Sequence, residues 1–366
     1  MKLNLKTMGV KGVLPADALS ELVDMAVLDL SDNDLRGGMR QLLDGMNGLR
    51  ELNMATNPRL GGELSPRLEH FELLEVIDLH NCALEGPMPK FFHLPHLRIV
   101  LVHENRFSGS APFPAAGDGT PAPRSLRRLC LHDNQLTGVL HDLVFPASPG
   151  LTHFSAGKNK LRGEIEPFLS ATASGGFAQL QSLCLDRNQL TGPFPEAVGQ
   201  MPRLTHLNLS HNLLDGPINS AIVARMRSLR RLELGHNLFT GALPQSVTFL
   251  SSLTQLSINS CRLSGALPTE TLGALSSLKS LNLSHNRFHG ALDHHLANAQ
   301  SLTELNIASN MLTGQIPVDT FLEMRSLRSL VLQSNPRLVP LDLHENERLS
   351  KGLPRADISV SWRAFE

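Results

Sequence analysis

Leu204-Thr205-His206-Leu207-Asn208-Leu209-Ser210-His211-Asn212-Leu213-Leu214-Asp215-Gly216 is one copy of a unit that the chain spells fourteen times. The residue that fixes the register is the asparagine three places after the last strand leucine: Asn33, Asn57, Asn105, Asn134, Asn159, Asn188, Asn212, Asn237, Asn286, Asn310 and Asn335. Cys82 and Cys261 hold that place in two further copies, and Met8 holds it in the first. From Asn33 onward the steps are 24, 25, 23, 29, 25, 29, 24, 25, 24, 25, 24 and 25 residues. A fixed period in this range marks a solenoid, in which each repeat builds one coil and stacks on the last. A single coil has nowhere to hide its leucines, so stacking is what buries them. The asparagine side chain carries two amide donors and one acceptor, enough to satisfy turn backbone and tie a coil to its neighbour. A cysteine thiol fits the same buried slot with a weaker donor.

The spelling Leu-x-x-Leu-x-Leu-x-x-Asn/Cys-x-Leu resembles that of the leucine-rich repeat family, over residues 3–338. The resemblance implies an α/β solenoid: a right-handed horseshoe with a parallel sheet on its concave face and short turns, 3-10 or helical segments on its convex face. Residues 1–338 are then a solenoid of about fourteen coils, the first incomplete, and residues 339–366, which hold the single tryptophan Trp362, fold over the last coil as a C-terminal cap. The second half of many copies narrows the likeness. Gly12-Val13-Leu14-Pro15, Gly86-Pro87-Met88-Pro89, Gly192-Pro193-Phe194-Pro195, Gly241-Ala242-Leu243-Pro244, Gly265-Ala266-Leu267-Pro268 and Gly314-Gln315-Ile316-Pro317 look like the L-x-G-x-I-P segment of plant-type repeats. That segment is similar to those of plant receptor-like proteins and of some protist surface antigens. In Gly163-Glu164-Ile165-Glu166 and Gly290-Ala291-Leu292-Asp293 the proline is missing.

Net charge is -1, from 33 basic and 34 acidic residues, so bulk charge recruits neither nucleic acid nor anionic lipid. Met1-Lys2-Leu3-Asn4-Leu5-Lys6 already reads as the first strand, with no apolar leader ahead of it. No run approaches the roughly 18 apolar residues of a membrane span. The expectation is a soluble, cytoplasmic monomer, with Lys2 and Lys6 guarding the edge strand. The alternative is a piece of a longer receptor-like or surface protein whose signal peptide, anchor or kinase domain lies outside these residues. Cys130 and Cys184 sit two coils apart, about 10 Å at strand spacing and beyond the reach of about 7 Å between bridged Cα atoms, so no disulfide is expected. The two 29-residue steps place extra residues at 111–124 and 170–179, rich in Ala, Gly, Pro and Ser, as surface loops.

No phosphate-cradling glycine loop, His-Glu-x-x-His zinc motif or Gly-x-Ser-x-Gly elbow is present, so neither catalysis nor a cofactor is expected. Leu-Ser-His-Asn at 209–212 and 283–286 puts a serine beside a histidine, but neighbouring strand residues face opposite ways, and repeat spelling explains the pairs. Function falls to the concave face. There His80, His103 and His132 share one column in consecutive coils, His211, His236 and His285 share the next, and His153 and His206 lie near the strand start. Beside them stand Glu104 and Asp133, and further along Arg231 and Glu233. Stacked imidazoles suit a metal ion or a pH response, yet a parallel stack strings its nitrogens along a line where zinc needs them to converge, so no metal is assigned. With no tyrosine on the chain, recognition is expected to be polar and charge-assisted. The reading is a non-catalytic scaffold binding a protein or peptide, or, alternatively, the ligand-binding ectodomain of a receptor-like protein. Its partner-binding candidates are His80, His103, Glu104, His132, Asp133, His206, His211, Arg231, Glu233 and His236. Asn208-Leu209-Ser210 and Asn282-Leu283-Ser284 match the glycosylation pattern but follow from the repeat spelling.

Overall fold

In the computed structural model each repeat lays down a three-residue strand; from Val27–Asp29 to Ser329–Val331 its central apolar residue is buried and its two flanking residues stand on the other face, as strand alternation requires. The structure describes residues 1–15, 19, 21–39, 43, 45–110, 125–140, 148–170 and 177–360. They form two compact units, Met1–Leu190 and Thr191–Glu366. In the first, the strands Lys2–Asn4, Val27–Asp29, Glu51–Asn53, Val76–Asp78, Ile99–Leu101, Arg128–Cys130, His153–Ser155 and Ser182–Cys184 pair in chain order, all parallel. In the second, His206–Asn208, Arg231–Glu233, Gln255–Ser257, Ser280–Asn282, Glu304–Asn306, Ser329–Val331 and Asp357–Ser359 do the same. Leu207, Leu232, Leu256, Leu281, Leu305 and Leu330 therefore stand in one file, each at most 1% exposed. The fold is the leucine-rich solenoid that the period implies.

The asparagines bind coil to coil. Asn237 Nδ2 donates to the carbonyl of Leu209 in the preceding coil (2.9 Å) and to Leu234 in its own (2.9 Å), while its Oδ1 accepts from Leu214 N (3.0 Å). Asn57, fully buried, does likewise with Leu30, Met54 and Leu35. Cys82 is equally buried and its Sγ reaches the carbonyl of Met54 (3.0 Å), the same partner position one coil back. Cys261 makes longer contacts, 3.7 Å to Leu234, and is only half-buried. Met8, in the first of these coils, holds the place in register and is 69% exposed. None of the four cysteines forms a disulfide.

Immediately before the slot, all fourteen coils place a non-glycine residue in the left-handed region, with φ between 50° and 60°: Thr7, Asp32, Thr56, Asn81, Glu104, Asp133, Lys158, Arg187, His211, His236, Ser260, His285, Ser309 and Ser334. Such a conformation costs an L-residue about 1–2 kcal/mol. It is held by bonds to the next coil, such as Glu104 N to His132 O (3.0 Å) and His211 N to Gly235 O (2.8 Å).

The glycine of the plant-type segment turns the chain at positive φ; at Gly86 (φ +78°) a Cβ would stand 2.9 Å from Glu63 Cγ. Besides the short turns, 3-10 and helical segments expected outside the main sheet, short second strands form, for example Arg262–Ala266, Arg287–Ala291 and Met311–Gln315. The proline that follows stands just ahead of a short helix, as Pro195 before Glu196–Gln200 and Pro317 before Val318–Glu323. In one copy that lacks it, Asp293 caps His294–Asn298 by accepting from His295 N.

After the last asparagine the chain forms the helix Leu343–Gly352, capped by Asp342, and then the strand Asp357–Ser359. That strand adds one more rung beside Ser329–Val331. The expected insertion 111–124, residues 171–176 of the expected insertion 170–179, and Trp362 lie outside the described residues. No helix among the described residues is long and apolar enough to cross a membrane.

Candidate recognition surface

In the first unit three imidazoles stack. His80 and His103 lie 4.7 Å apart, centroid to centroid, with planes 3° from parallel; His103 and His132 lie 4.4 Å apart at 22°. The stack follows from the register: Asp78, Leu101 and Cys130 end successive strands, and each histidine stands two residues further on. The outer rings are tethered, His80 Nδ1 to Asp78 Oδ1 (2.7 Å) and His132 Nδ1 to Ser155 Oγ (3.1 Å). The central ring is not: His103 Nδ1 is buried and has no hydrogen-bond partner. Burial, reinforced by its two neighbours, pushes the His103 imidazole down to about 4, and burial also lowers His132 although Glu104 and Asp133 pull the other way. Glu104 and Asp133 project from the left-handed positions that follow; Asp133 Oδ2 accepts from Lys158 Nζ (2.9 Å).

The five candidates of this unit thus come together. One companion was missed in the sequence, Cys130, whose thiol burial raises its pKa. The alternation Cys130-Leu131-His132 was the available signal, since residues two apart on a strand share a face.

In the second unit His206, which contacts Thr205 Oγ1 through Nδ1 (2.8 Å), pairs in register with Arg231. Glu233 stands between Asn208 and Ser257 on the neighbouring strands. His211 and His236 stack at 4.0 Å and 11°, and Asn259 Nδ2 lies 3.1 Å from His236 Nε2. His285 belongs to the same column but is separated from this pair by the coil of Ser260. Asn208 Oδ1 accepts from the backbone N–H (3.0 Å) and hydroxyl (2.7 Å) of Ser210, and Asn282 does the same for Ser284. Asp29 and Ser31 make the same two bonds where no glycosylation pattern exists, so the Asn-Leu-Ser spelling closes a turn.

The family model for leucine rich repeats matches residues 178–237 and 276–336. Receptor-like protein 18 of Arabidopsis thaliana is 29% identical over 217 residues, which cover 58% of this chain and 23% of that protein. The chain thus spans about a quarter of this curated relative's length. Among solved structures, the TDR receptor superposes with a TM-score of 0.78 at 25% identity, over 93% of this chain and 60% of that one. The Arabidopsis receptor kinase HAESA, solved in complex with the peptide hormone IDA and the co-receptor SERK1, gives 0.74 at 25% identity, over 94% and 58%. The chain carries leucine rich repeats over residues 178–237 and 276–336 and is similar to plant receptor-like proteins.

Proposed function

We propose that this chain is a non-catalytic recognition module that binds a protein or peptide through the outward-facing residues of its parallel strands. The observation that carries the reading is the likeness to HAESA, captured with a peptide hormone and a co-receptor, across nearly the whole chain. The character of the surface agrees. Its rows are mostly polar and charged, with Val27, Val76, Ile99, Leu101 and Val331 as apolar exceptions, and Arg231 and Glu233 occupy adjacent outward positions, with no tyrosine anywhere. Such a surface reads an extended partner by hydrogen bonds and charge. Its buried elements are spent on the repeat, which leaves the variable strand positions as the source of specificity.

We infer a cell-surface or extracellular setting for these repeats, in place of the cytoplasmic one expected from the first residues of the sequence. The support is the receptor company that the repeats keep. Residues 339–366 serve in this reading as the closing cap of the solenoid. A transcript extended upstream of the codon for Met1 that encodes a signal peptide supports the setting.

The binding claim is tested with peptides selected by display against the wild-type chain. Arg231→Glu, and separately the set His103→Ala, Glu104→Ala, His132→Ala and Asp133→Ala, are compared with wild type by calorimetry. Weakening of at least about tenfold in either variant, or 1.4 kcal/mol, supports the reading. Unchanged affinity in both places the binding surface elsewhere.

A further inference from the structure

We propose that His103, Cys130 and His132 form a binding site for a thiophilic transition-metal ion of the zinc(II) type, with the fourth coordination position open to the outer face. A nitrogen from each imidazole and the Cys130 Sγ all lie within 4.8 Å of one another. The three are corners of one small quadrilateral fixed by strand register. Cys130 is opposite Leu101, and His132 and His103 stand two residues beyond each. The line of nitrogens that argues against a metal in a pure histidine stack is thereby broken, because the thiol lies to one side of it. The fourth corner is Leu101, which offers no donor; it explains why three protein ligands converge and not four.

Zinc bonds of about 2.0–2.1 Å to nitrogen and about 2.3 Å to sulfur set the donors about 3.3–3.6 Å apart, so the cluster needs to close by at most about 1.5 Å. The central ring can respond, since His103 Nδ1 is buried without a partner and no hydrogen bond resists its rotation. The His132 ring is oriented by Ser155. On binding, the Cys130 S–H bond breaks, its proton passes to solvent, and the sulfur electron pair forms the metal bond, with no change of oxidation state. Thiolate and ion then carry a net single positive charge, and Glu104 and Asp133 stand near enough to act on His132 electrostatically and balance it. Two imidazoles and a thiolate are a donor set preferred by zinc and copper over magnesium or calcium. His80 stacks on His103 but is engaged with Asp78, outside the cluster. The site stands independently of whichever partner the face binds.

The test uses the full chain, reduced and stripped of metal, titrated at pH 7 with zinc chloride by calorimetry and with cobalt(II) by absorbance. One ion per chain is expected, together with a thiolate-to-cobalt charge-transfer band and intense tetrahedral d–d bands. Cys130→Ser should abolish the charge-transfer band and weaken zinc binding at least tenfold, and His132→Gln should weaken it similarly. His80→Gln should stay within twofold of wild type, as should Asp293→Asn, which disables a second cluster formed by Asp293, His294 and His295. Circular dichroism verifies that each variant is folded; should Cys130→Ser not fold, His132→Gln carries the comparison. Absence of stoichiometric binding, a charge-transfer band that survives in Cys130→Ser, affinity unchanged in His132→Gln, or binding lost in Asp293→Asn would each overturn the assignment.

Discussion

Cys82 Sγ donates to the carbonyl of Met54, 3.0 Å away and one coil back, and so takes over the bond that asparagine makes elsewhere in the column. Asn105 Oδ1 in turn accepts from Cys82 N (3.1 Å), which keeps the thiol coil joined on its other side. Cys82→Ala removes one of the two donors to the Met54 carbonyl, which keeps its bond from Asn57 Nδ2 (2.8 Å). A loss of about 0.5–1.5 kcal/mol in urea denaturation is expected; a variant as stable as wild type would show that the thiol bond between coils contributes nothing.

Burial pushes the same thiol up to about 12. The thiolate is the nucleophile. Cys82 should therefore resist alkylation by iodoacetamide at pH 8 in the native chain and react once denaturant unfolds it, as read by peptide mass spectrometry.

Leu207 is fully buried at the centre of its strand. Leu207→Ala should cost about 2–5 kcal/mol, the range for emptying a packed leucine site. Thermal melts that do not shift would contradict its place in the core file.

Ser309 holds φ at 53° and its N–H is bound to Gln333 O at 2.9 Å in the next coil. Ser309→Gly relieves the left-handed strain and should leave stability unchanged or raise it by up to about 1 kcal/mol, while Ser309→Val should lower it by about 1–2 kcal/mol. Equal stability of the two variants would show that the backbone at this position is not constrained as described.

In the metal-free chain His103 should titrate near 4, because burial disfavours the imidazolium. An unfolded histidine takes its proton near 6.5, so between those values the unfolded state binds more protons than the folded one. Stability should therefore be intact above about pH 6.5 and decline as pH falls toward 4. NMR titration of the His103 ring checks the value directly; a midpoint near 6.5 would mean that the ring is solvated.

The stack of coils and its buried leucines could be read from the sequence because a repeating period forces one environment on each position. The left-handed column could not. Its residues range from Thr56 and Asp133 to Lys158 and His236, and only the bond to the following coil imposes the conformation. The last strand, Asp357–Ser359, was equally hidden, since no asparagine follows it to mark the register. At the surface, the histidine columns were visible as spacing. The nearness of Cys130 to His103 was not, because 27 residues separate them in sequence and only the parallel register of their strands brings them side by side.

The most direct test of the central claim is the footprint of a bound partner. The chain is used as bait for affinity purification, and the complex with the recovered partner is compared with the free chain by hydrogen–deuterium exchange. Protection should fall on peptides carrying the strands and the residues just beyond them, such as 99–104, 128–133, 206–211 and 231–236. Protection confined to the second strands and short helices, such as 262–273 and 311–323, with those strand peptides unchanged, would contradict recognition through the parallel sheet.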